Sequence, residues 1–413
     1  MFPEVLFMSE VDKKVWKKWS KGELQIHFIH TGAAESILFI FPDGTTMLND
    51  CGDYPALTRW QYAVPVVPGP ERLAGDWIAR YVQRVLPENP PMRNGKPLID
   101  YMYLSHFHCD HCGTPHWQCI KDDGDRLTDC FRSGYALAAE SLAFDTAVDR
   151  DWPGTDERVS QDIERCHEHM HRIYKALRIR DGLKNEKFRL GADDQFVLRY
   201  FPAEYPDFRV LNLIANGRIF SKDGSVKDAY AHEAKLTDHF NENGMSCGFI
   251  LTYGKFKFFT GGDWDDHIAG EDGAKINLDD VLADELSPVD VAKINHHGFR
   301  NMSNRIVAAL AAKVWVANIS NTREVSEDAL ERICSRDNYP EDRMVFPCVF
   351  ADSRVQTAQG KSYLQDIAPE TFGKGCHIVI TVPPGGSRYT VTCIDAVDEA
   401  MRIKGEYSFS TRG

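Results

Sequence analysis

Four residues of the chain have the types and the spacing of metal ligands. His106, His108, Asp110 and His111 lie within the segment SHFHCDHCG. On an extended chain, side chains at positions i, i+2 and i+4 share one face, so His106, His108 and Asp110 point together. Imidazole and carboxylate groups gathered in this way bind divalent cations. Asp110 and His111 are adjacent and diverge at the turn that follows, which lets one short segment serve two metal ions.

Short strands must position these residues. The sequence predicts strands at 24–30, 35–41 and 45–50, separated by TG and PDG turns. A helix is predicted near 73–86. The apolar segment PLIDYMYL then predicts a strand that ends at Leu104, so the candidate ligands follow directly at a strand end.

The middle of the chain has a different pattern. From about 114 to 196 the pattern is helical, and we interpret this stretch as an insertion over the sheet. A stripe of residues recurs there at steps of four and three: Val159, Ile163, Cys166, Met170, Ile173 and Leu177. Strands are again predicted at 196–201, 208–216, 247–253, 255–264 and 313–320.

The last segment, after about Phe346, contains CHIVITVPP and SRYTVTCI, which predict a small β-hairpin or cap. Strand runs flanked by helical runs favour a sheet-rich α/β domain. We therefore predict one main α/β domain over residues 1–345 and a C-terminal β extension over residues 346–413.

Four segments, in this order, resemble the motifs of the metallo-β-lactamase-fold hydrolases. TTMLNDCG resembles the early strand with its aspartate, SHFHCDHCG the HxHxDH signature, FFTGGDW the strand with the bridging aspartate, and VAKINHHGF the last histidine motif. Within that superfamily, HFIHTGAAESILFIF and HHG are most similar to the soluble hydrolase domain of the DNA-uptake competence protein ComEC and its relatives, including phosphorylcholine esterases. The resemblance covers about residues 24–320 and implies an αββα sandwich.

The resemblance also implies a site for two divalent metal ions, zinc or manganese. A bridging carboxylate would hold both ions, and a hydroxide shared between them would be the nucleophile. Asp110 would bind the second ion, and we predict that it is essential for catalysis. His296 would donate a hydrogen bond to a substrate oxygen. The implied ligands are His106 and His108 for the first ion, Asp110, His111 and His297 for the second, and Asp263 as the bridge, with Asp50 orienting a ligand histidine.

One departure from the family pattern concerns the first ion. The family supplies a third histidine just before the strand that precedes GGD, and this chain has NENGMSCG there, with Glu242 or Asn243 at that position. His232 and His239 are nearby substitutes. Without a strong third ligand, we expect a weaker first site that accepts a harder ion such as Mn²⁺.

Three functions remain open at this stage. The first is hydrolysis of phosphodiesters by a phosphodiesterase or nuclease-like enzyme, which the ComEC-type resemblance favours. The second is hydrolysis of a small ester, lactone or thioester. The third is a non-catalytic binding or regulatory module that keeps the fold, and such a module could be stable without metal.

Composition limits the partners and the compartment. The net charge of the 413-residue chain is −13, which opposes binding to an extended polyanion, so we expect an anionic small molecule or single-stranded nucleic acid as substrate. A basic cluster between residues 172 and 189 is a candidate contact for it. No apolar run is long enough for a membrane span, and no signal peptide is recognisable. These features, together with eleven scattered cysteines, predict a cytoplasmic protein with reduced thiols.

One further motif matches a protease pattern by sequence alone. Residues 167–171 read HEHMH and match the H-E-x-x-H pattern of helical zinc proteases. The apolar stripe of that helix runs through Cys166 and Met170, which places His167 and His171 on its flank. We therefore expect no protease site there.

Overall fold

Two large β-sheets make up most of the structure. The computed structural model describes residues 14–32, 34–54, 62–114, 133–154, 164–230, 241–264, 268–269, 275–299 and 301–412. The strands are β1 (Leu24–Phe28), β2 (Ile37–Ile40), β3 (Thr46–Asn49), β4 (Met92–Arg93), β5 (Lys96–Tyr103), β6 (Ala143–Asp149), β7 (Lys184–Lys187), β8 (Phe208–Ala215), β9 (Arg218–Phe220), β10 (Val226–Asp228), β11 (Gly248–Tyr253), β12 (Phe256–Thr260), β13 (Ile268–Ala269), β14 (Lys275–Ile276), β15 (Val291–Lys293), β16 (Val314–Ala317), β17 (Met344–Pro347), β18 (Cys376–Val382), β19 (Arg388–Asp395) and β20 (Ile403–Ser410). The α-helices are α1 (Ala74–Val85), α2 (Cys109–Cys112), α3 (Tyr135–Ala138), α4 (Glu164–Asp181), α5 (Leu278–Ala283), α6 (Asn304–Leu310), α7 (Glu327–Cys334) and α8 (Asp352–Thr357).

In each sheet, some strands that are far apart in sequence pair with each other. The first sheet runs β20-β19-β18-β1-β2-β3-β5-β6-β7, and β4 pairs with β5. The second runs β10-β9-β8-β11-β12-β15-β16-β17, and β13 and β14 form a separate ribbon. Each sheet has a parallel part, from β3 to β7 in the first and from β12 to β17 in the second.

A layer of aromatic side chains joins the two sheets. Phe39 of β2 lies with its ring centroid 5.7 Å from that of Phe249 and 5.6 Å from that of Phe258, both on the second sheet. Phe28 of β1 contacts Phe258 at 6.2 Å. Tilted and edge-to-face pairs of this kind stabilise a core beyond the area that they bury.

Helices cover the outer face of each sheet. Residues of α1, α3 and α4 form one apolar cluster with side chains of the first sheet, and residues of α5, α6 and α7 form another with the second. α6 and α7 begin at serine caps, because Ser303 and Ser326 accept backbone hydrogen bonds from Ile306 and Ala329. The result is a mixed α/β architecture of two facing sheets with helices outside. Within the described ranges, no helix has both the length and the apolar character needed to cross a bilayer.

Several predicted elements are confirmed. β1, β2 and β3 occupy the three predicted N-terminal strands, and α1 lies within the predicted helix at 73–86. On α4 the predicted stripe is buried through Cys166, Met170, Ile173 and Leu177. Val159 and Ile163, the first residues of that stripe, lie outside the described residues.

The prediction of a helical insertion over 114–196 is wrong for two segments. Residues 143–149 and 184–187 form β6 and β7, which extend the parallel part of the first sheet beyond β5. β7 has the sequence KNEK, with exposed and partly buried positions, because it is the edge strand. An edge strand without an apolar face has no alternation that sequence reading could detect.

The predicted C-terminal strands exist but do not form a separate cap. CHIVITV is β18, RYTVTCID is β19, and β18 pairs antiparallel with β1. They therefore extend the first sheet itself. The predicted domain boundary at residue 345 stays a prediction.

We expect Phe39→Ala to lower the free energy of unfolding by about 3–5 kcal/mol, because it removes a fully buried ring from the layer between the sheets. Urea unfolding followed by circular dichroism measures this. Val226→Ala, at a side chain that is 55% exposed, is the control and should change stability by no more than about 0.5 kcal/mol. Equal effects of the two changes would contradict the assignment of Phe39 to the core.

Candidate metal centre

The ends of parallel strands bring the candidate ligands together. Asp50 follows β3 and His106 follows the parallel strand β5. Asp263 follows β12 and His297 follows the parallel strand β15. The carboxyl ends of parallel strands meet at one edge of a sheet, where α/β proteins bind their ligands. The two sheets contribute to one site because their ligand-bearing edges meet.

Two histidines converge on one carboxylate oxygen. Asp263 Oδ2 lies 3.1 Å from His111 Nε2 and 3.3 Å from His297 Nε2. Asp110 Oδ2 lies 3.3 Å from the same His297 nitrogen. Donors bound to one tetrahedral ion at about 2.1 Å are about 3.4 Å apart. The Nε2 atoms of His111 and His297 and the Asp263 carboxylate are therefore spaced like donors around one divalent cation, and Asp110 lies beside His297.

The hydrogen bonds of the two histidines aim their Nε2 atoms at that position. His111 Nδ1 lies 2.8 Å from Asp50 Oδ2, and His297 Nδ1 lies 3.0 Å from the Asn318 carbonyl oxygen. Both partners only accept, so each Nδ1 carries a hydrogen and each Nε2 is the ring nitrogen that faces Asp263. Nε2 of His297 is buried between the carboxylates of Asp110 and Asp263. Either a proton on Nε2 or a metal ion must stand between each imidazole and the carboxylate, so the residues present fit a divalent metal ion that displaces those protons.

The buried carboxylates also raise the pKa values of the two histidines. Burial alone would lower the pKa of His111, but the carboxylates of Asp263 and Asp50 raise it well above its ordinary value. His297 responds in the same way: burial opposes the charge, and Asp263 and Glu324 raise its pKa. The site thus stabilises positive charge at both imidazoles.

Asp50 contacts His111 Nδ1 and so fixes the orientation of that ring. Its two oxygens also accept hydrogen bonds from the backbone N–H of Ser105 at 2.8 Å and from Ser105 Oγ at 2.7 Å. Its backbone has a φ of 59°, which few residues other than glycine adopt. Neighbouring Gly52 permits close approach of α2, because a Cβ there would lie 1.6 Å from the Asp110 carbonyl oxygen.

His106 and His108 form a second pair of donors. His106 Nδ1 lies 3.1 Å from Ser105 Oγ, and His106 Nε2 lies 3.0 Å from His108 Nδ1. Burial and the nearby imidazole of His111 lower the pKa of His106 well below its ordinary value, so His106 is neutral and able to donate a lone pair. The ring centroids of His106 and His111 are 4.1 Å apart, so the two sets of donors are adjacent.

Glu242 and Asn243, which stand where the family has a third first-site histidine, make other contacts. Glu242 accepts hydrogen bonds from the Phe107 backbone N–H at 2.9 Å and from Arg150 Nη2 at 2.6 Å. This buried ion pair rules Glu242 out as the missing ligand and fixes the backbone between His106 and His108. Asn243 contacts His296, with 3.2 Å between its Nδ2 and the imidazole Nε2. His232 and His239 lie outside the described residues.

His296 and His297 occupy strained backbone. Their φ angles are 45° and 52°, within the turn at Asn295–Gly298 that follows β15. Two consecutive histidines in the left-handed region cost free energy, and such strain is typical of functional sites. The turn buries His297 and leaves His296 partly exposed. His296 therefore lies on the open side of the site, together with the partly exposed His108 and Asp110.

Sequence reasoning missed two residues of the site. Glu35, in the loop between β1 and β2, belongs with His111, Asp263 and His297 to a buried group whose ligand atoms all lie within 4.8 Å of one another. Lys293, the last residue of β15, lies 3.2 Å from Glu35 and 3.4 Å from Asp263. The signal that could have found them is a charged residue within an apolar segment, AESILFI and VDVAKIN, because charges are rarely buried unless paired.

The H-E-x-x-H motif on α4 does not form a cluster of three or more metal ligands among the described residues. The imidazole rings of His167 and His171 lie 4.1 Å apart, and His167 Nε2 is 2.7 Å from Asp151. Of the residues described, only the group containing Glu35 brings together three or more potential ligand atoms. The basic cluster is largely paired: Arg172 with Glu168, Arg180 with Asp181, Lys184 with Asp145 and Arg189 with Asp194.

Comparisons with known proteins show a distant structural likeness. No protein-family model matches the sequence, and no curated protein matches it. A mutant of the CmlA β-hydroxylase aligns at a TM-score of 0.37 and 10% identity, over 80% of this chain and 53% of that one. A protein from Parabacteroides distasonis ATCC 8503, whose name proposes a metal-dependent hydrolase, aligns at 0.32 and 13%, over 80% and 96%. The chain spans about half the length of the β-hydroxylase. At these scores the likeness carries no functional information, so function must be inferred from the site.

We expect Asp50→Asn to weaken zinc binding by about 10–100-fold, because the amide cannot replace both carboxylate oxygens that hold His111 and Ser105. Competition with a chromophoric chelator measures the dissociation constant. Asp290→Asn is the matched control, since Asp290 is also buried and accepts backbone hydrogen bonds, but at the other end of β15. Unchanged affinity in Asp50→Asn would contradict the orienting role.

Metal binding should release protons. Because the pKa values of His111 and His297 are raised, both imidazoles are protonated at neutral pH in the metal-free protein, and a cation must displace those protons. Affinity should therefore fall as the pH is lowered and rise until the pH exceeds the raised pKa values. Calorimetry in buffers of different ionisation enthalpy counts the protons. An affinity that is constant between about pH 6 and about pH 8 would contradict this.

Proposed function

We propose that this chain is a metal-dependent hydrolase of the metallo-β-lactamase fold whose substrates are phosphodiesters. The observation that carries the proposal is the convergence of the Nε2 atoms of His111 and His297 with the carboxylates of Asp263 and Asp110 at one strand-edge position. Histidine and carboxylate ligands with an open side are typical of hydrolytic metal sites rather than closed structural ones.

The residues divide into two ligand groups. Asp110, His111, Asp263 and His297 would hold one ion, and His106 and His108 would hold another beside Asp263. Divalent ions in such a site polarise a substrate oxygen and make a nucleophile available from water. The group of Asp110, His111, Asp263 and His297 has more ligands and more negative charge, so we expect its ion to be held more tightly than the ion at His106 and His108. The protein as purified should accordingly contain closer to one ion than two.

The partly exposed side chains are suited to substrate binding. His296 adjoins the ligand His297, and its contact with Asn243 at 3.2 Å limits the rotation of its ring. An imidazole N–H at this point could donate to a non-bridging phosphoryl oxygen. The net charge of −13 favours a small or single-stranded substrate over duplex nucleic acid.

Two other functions are tested by the same assay. A small ester, lactone or thioester would use the same ions to polarise a carbonyl oxygen, and a binding module would hold metal without turnover. The screen should pair bis(p-nitrophenyl) phosphate and a single-stranded oligonucleotide with p-nitrophenyl acetate and a homoserine lactone, with Zn²⁺ and Mn²⁺ supplied separately. Hydrolysis of the carbonyl substrates alone would replace the phosphodiester proposal, and metal binding with no hydrolysis would favour the binding module.

We expect Asp110→Ala to lower phosphodiester turnover by at least about a hundredfold while the fold persists, because one carboxylate ligand is lost from a partly exposed position. Activity and the circular dichroism spectrum should be measured with metal in excess. Asp193→Ala, at an exposed carboxylate paired with Arg209, is the control and should retain full activity. Retained activity in Asp110→Ala would refute the role of the second ion.

A further inference from the structure

Lys293 places a permanent cation inside the ligand cluster. Its side chain is 1% exposed, and its Nζ lies 3.2 Å from Glu35 Oε1 and 3.4 Å from Asp263 Oδ1. The ammonium group also donates to the Gly262 carbonyl oxygen at 2.7 Å. With the Ile294 carbonyl oxygen at 3.4 Å, four oxygen atoms surround the ammonium group, and it meets Asp263 at Oδ1.

The two oxygens of Asp263 consequently have different partners. Oδ1 faces Lys293, whereas Oδ2 faces the Nε2 atoms of His111 and His297. An ammonium group at Oδ1 repels a second cation from that oxygen. Asp263 is thus left to bind metal through Oδ2 alone.

Glu35 could serve as a ligand if Lys293 were absent. Its carboxylate is 1% exposed and belongs to the group of four donors that lie within 4.8 Å of one another. Its Oε2 is 3.4 Å from Nδ1 of His297, whereas Nε2 is the nitrogen of that ring that lies near Asp263. The ion pair with Lys293 holds Glu35 beside Nδ1.

We propose that Lys293 is a built-in counter-cation that keeps Glu35 out of the metal coordination sphere and restricts Asp263 to coordination through Oδ2. The proposal rests on the metal site described under the proposed function, but not on the substrate. Lys293 and Glu35 are positioning residues: they determine which oxygens the ion meets and how tightly it is held.

Charge and coordination make separable predictions. Removing Lys293 makes the net charge near the ion one unit more negative and so tightens metal binding. Removing the charge of Glu35 has the opposite effect and weakens metal binding. Coordination number is a different quantity, and the visible absorption of bound Co²⁺ reports it, because four-coordinate Co²⁺ absorbs much more strongly than five-coordinate Co²⁺. A purely structural ion pair would change stability without changing this spectrum.

The experiment titrates Co²⁺ into the metal-free full chain and records affinity and visible spectrum. The variants are Lys293→Met, Glu35→Gln and the double variant. Lys293→Arg keeps the charge, and Lys257→Met removes an exposed lysine from the neighbouring strand β12. Circular dichroism verifies that each variant folds. Glu35→Gln is nearly isosteric, so it remains informative even if Lys293→Met does not fold.

The expected results differ in sign. Lys293→Met should bind Co²⁺ at least about tenfold more tightly, with weaker visible absorption as Glu35 becomes an added ligand. Glu35→Gln should bind about tenfold more weakly with an unchanged spectrum, because Glu35 is no ligand in the unmodified protein. The double variant should return to within about threefold of the original affinity and to the original spectrum. Lys293→Arg and Lys257→Met should retain the original spectrum.

Three results would overturn the proposal. A changed spectrum in Glu35→Gln would show that Glu35 already binds the ion. An unchanged spectrum in a folded Lys293→Met would show that Lys293 acts through charge alone. If the unmodified protein bound no Co²⁺, both this proposal and the proposed function would fail. A protein that bound Co²⁺ as expected but hydrolysed no substrate would contradict only the proposed function.

Discussion

Buried negative charge is the constraint on which this structure depends. Asp50 and Asp263 are almost fully buried at the meeting edges of the two sheets, and Glu35 lies beside them. Carboxylates removed from water are tolerated only when cations or hydrogen-bond donors compensate them. Lys293, the raised pKa values of His111 and His297, and the bonds from Ser105 to Asp50 are all parts of that compensation. A divalent cation at Asp263 Oδ2 would complete it.

The rest of the fold keeps this charge in one place. The aromatic layer between the sheets holds their edges at a fixed distance, so ligands on β3 and β5 can meet ligands on β12 and β15. The Arg150–Glu242 pair then fixes the backbone of the histidine segment through Phe107. The aromatic layer and the Arg150–Glu242 pair are both buried, so their side chains can adopt few arrangements. The part that contacts substrate, around His296 and Asp110, is by contrast partly exposed.

Local patterns in the sequence predicted much of this structure. The spacing of His106, His108 and Asp110 was interpreted on an extended chain, but α2 begins at Cys109, so Asp110 lies on a helix and contacts His297 instead. Asp263 and His297 could be assigned only through resemblance of their flanking motifs to a family. Glu35 and Lys293 were missed because each is a single charged residue, and only strand pairing brings them together.

The errors in the fold have related causes. β7 lacks an apolar face because it is an edge strand, so its KNEK sequence gave no strand signal. The C-terminal strands were recognised, but their pairing with β1 depends on partners far apart in sequence. Periodicity reports what one segment does with its own neighbours along the chain. It does not report which distant segment completes a sheet.

The pairing of β18 with β1 also sets the order of events during synthesis. The backbone N–H of His30 donates to His377 Nδ1 at 3.0 Å, and these partners are 347 positions apart. His30 begins the loop that carries Glu35, so that loop gains its last neighbour only when β18 has been made. At about 5–20 residues per second, roughly 20–70 s of translation separate the two partners. The histidine segment thus spends most of that interval beside an unfinished sheet, and the loop that carries Glu35 reaches its final arrangement only after β18 has been made.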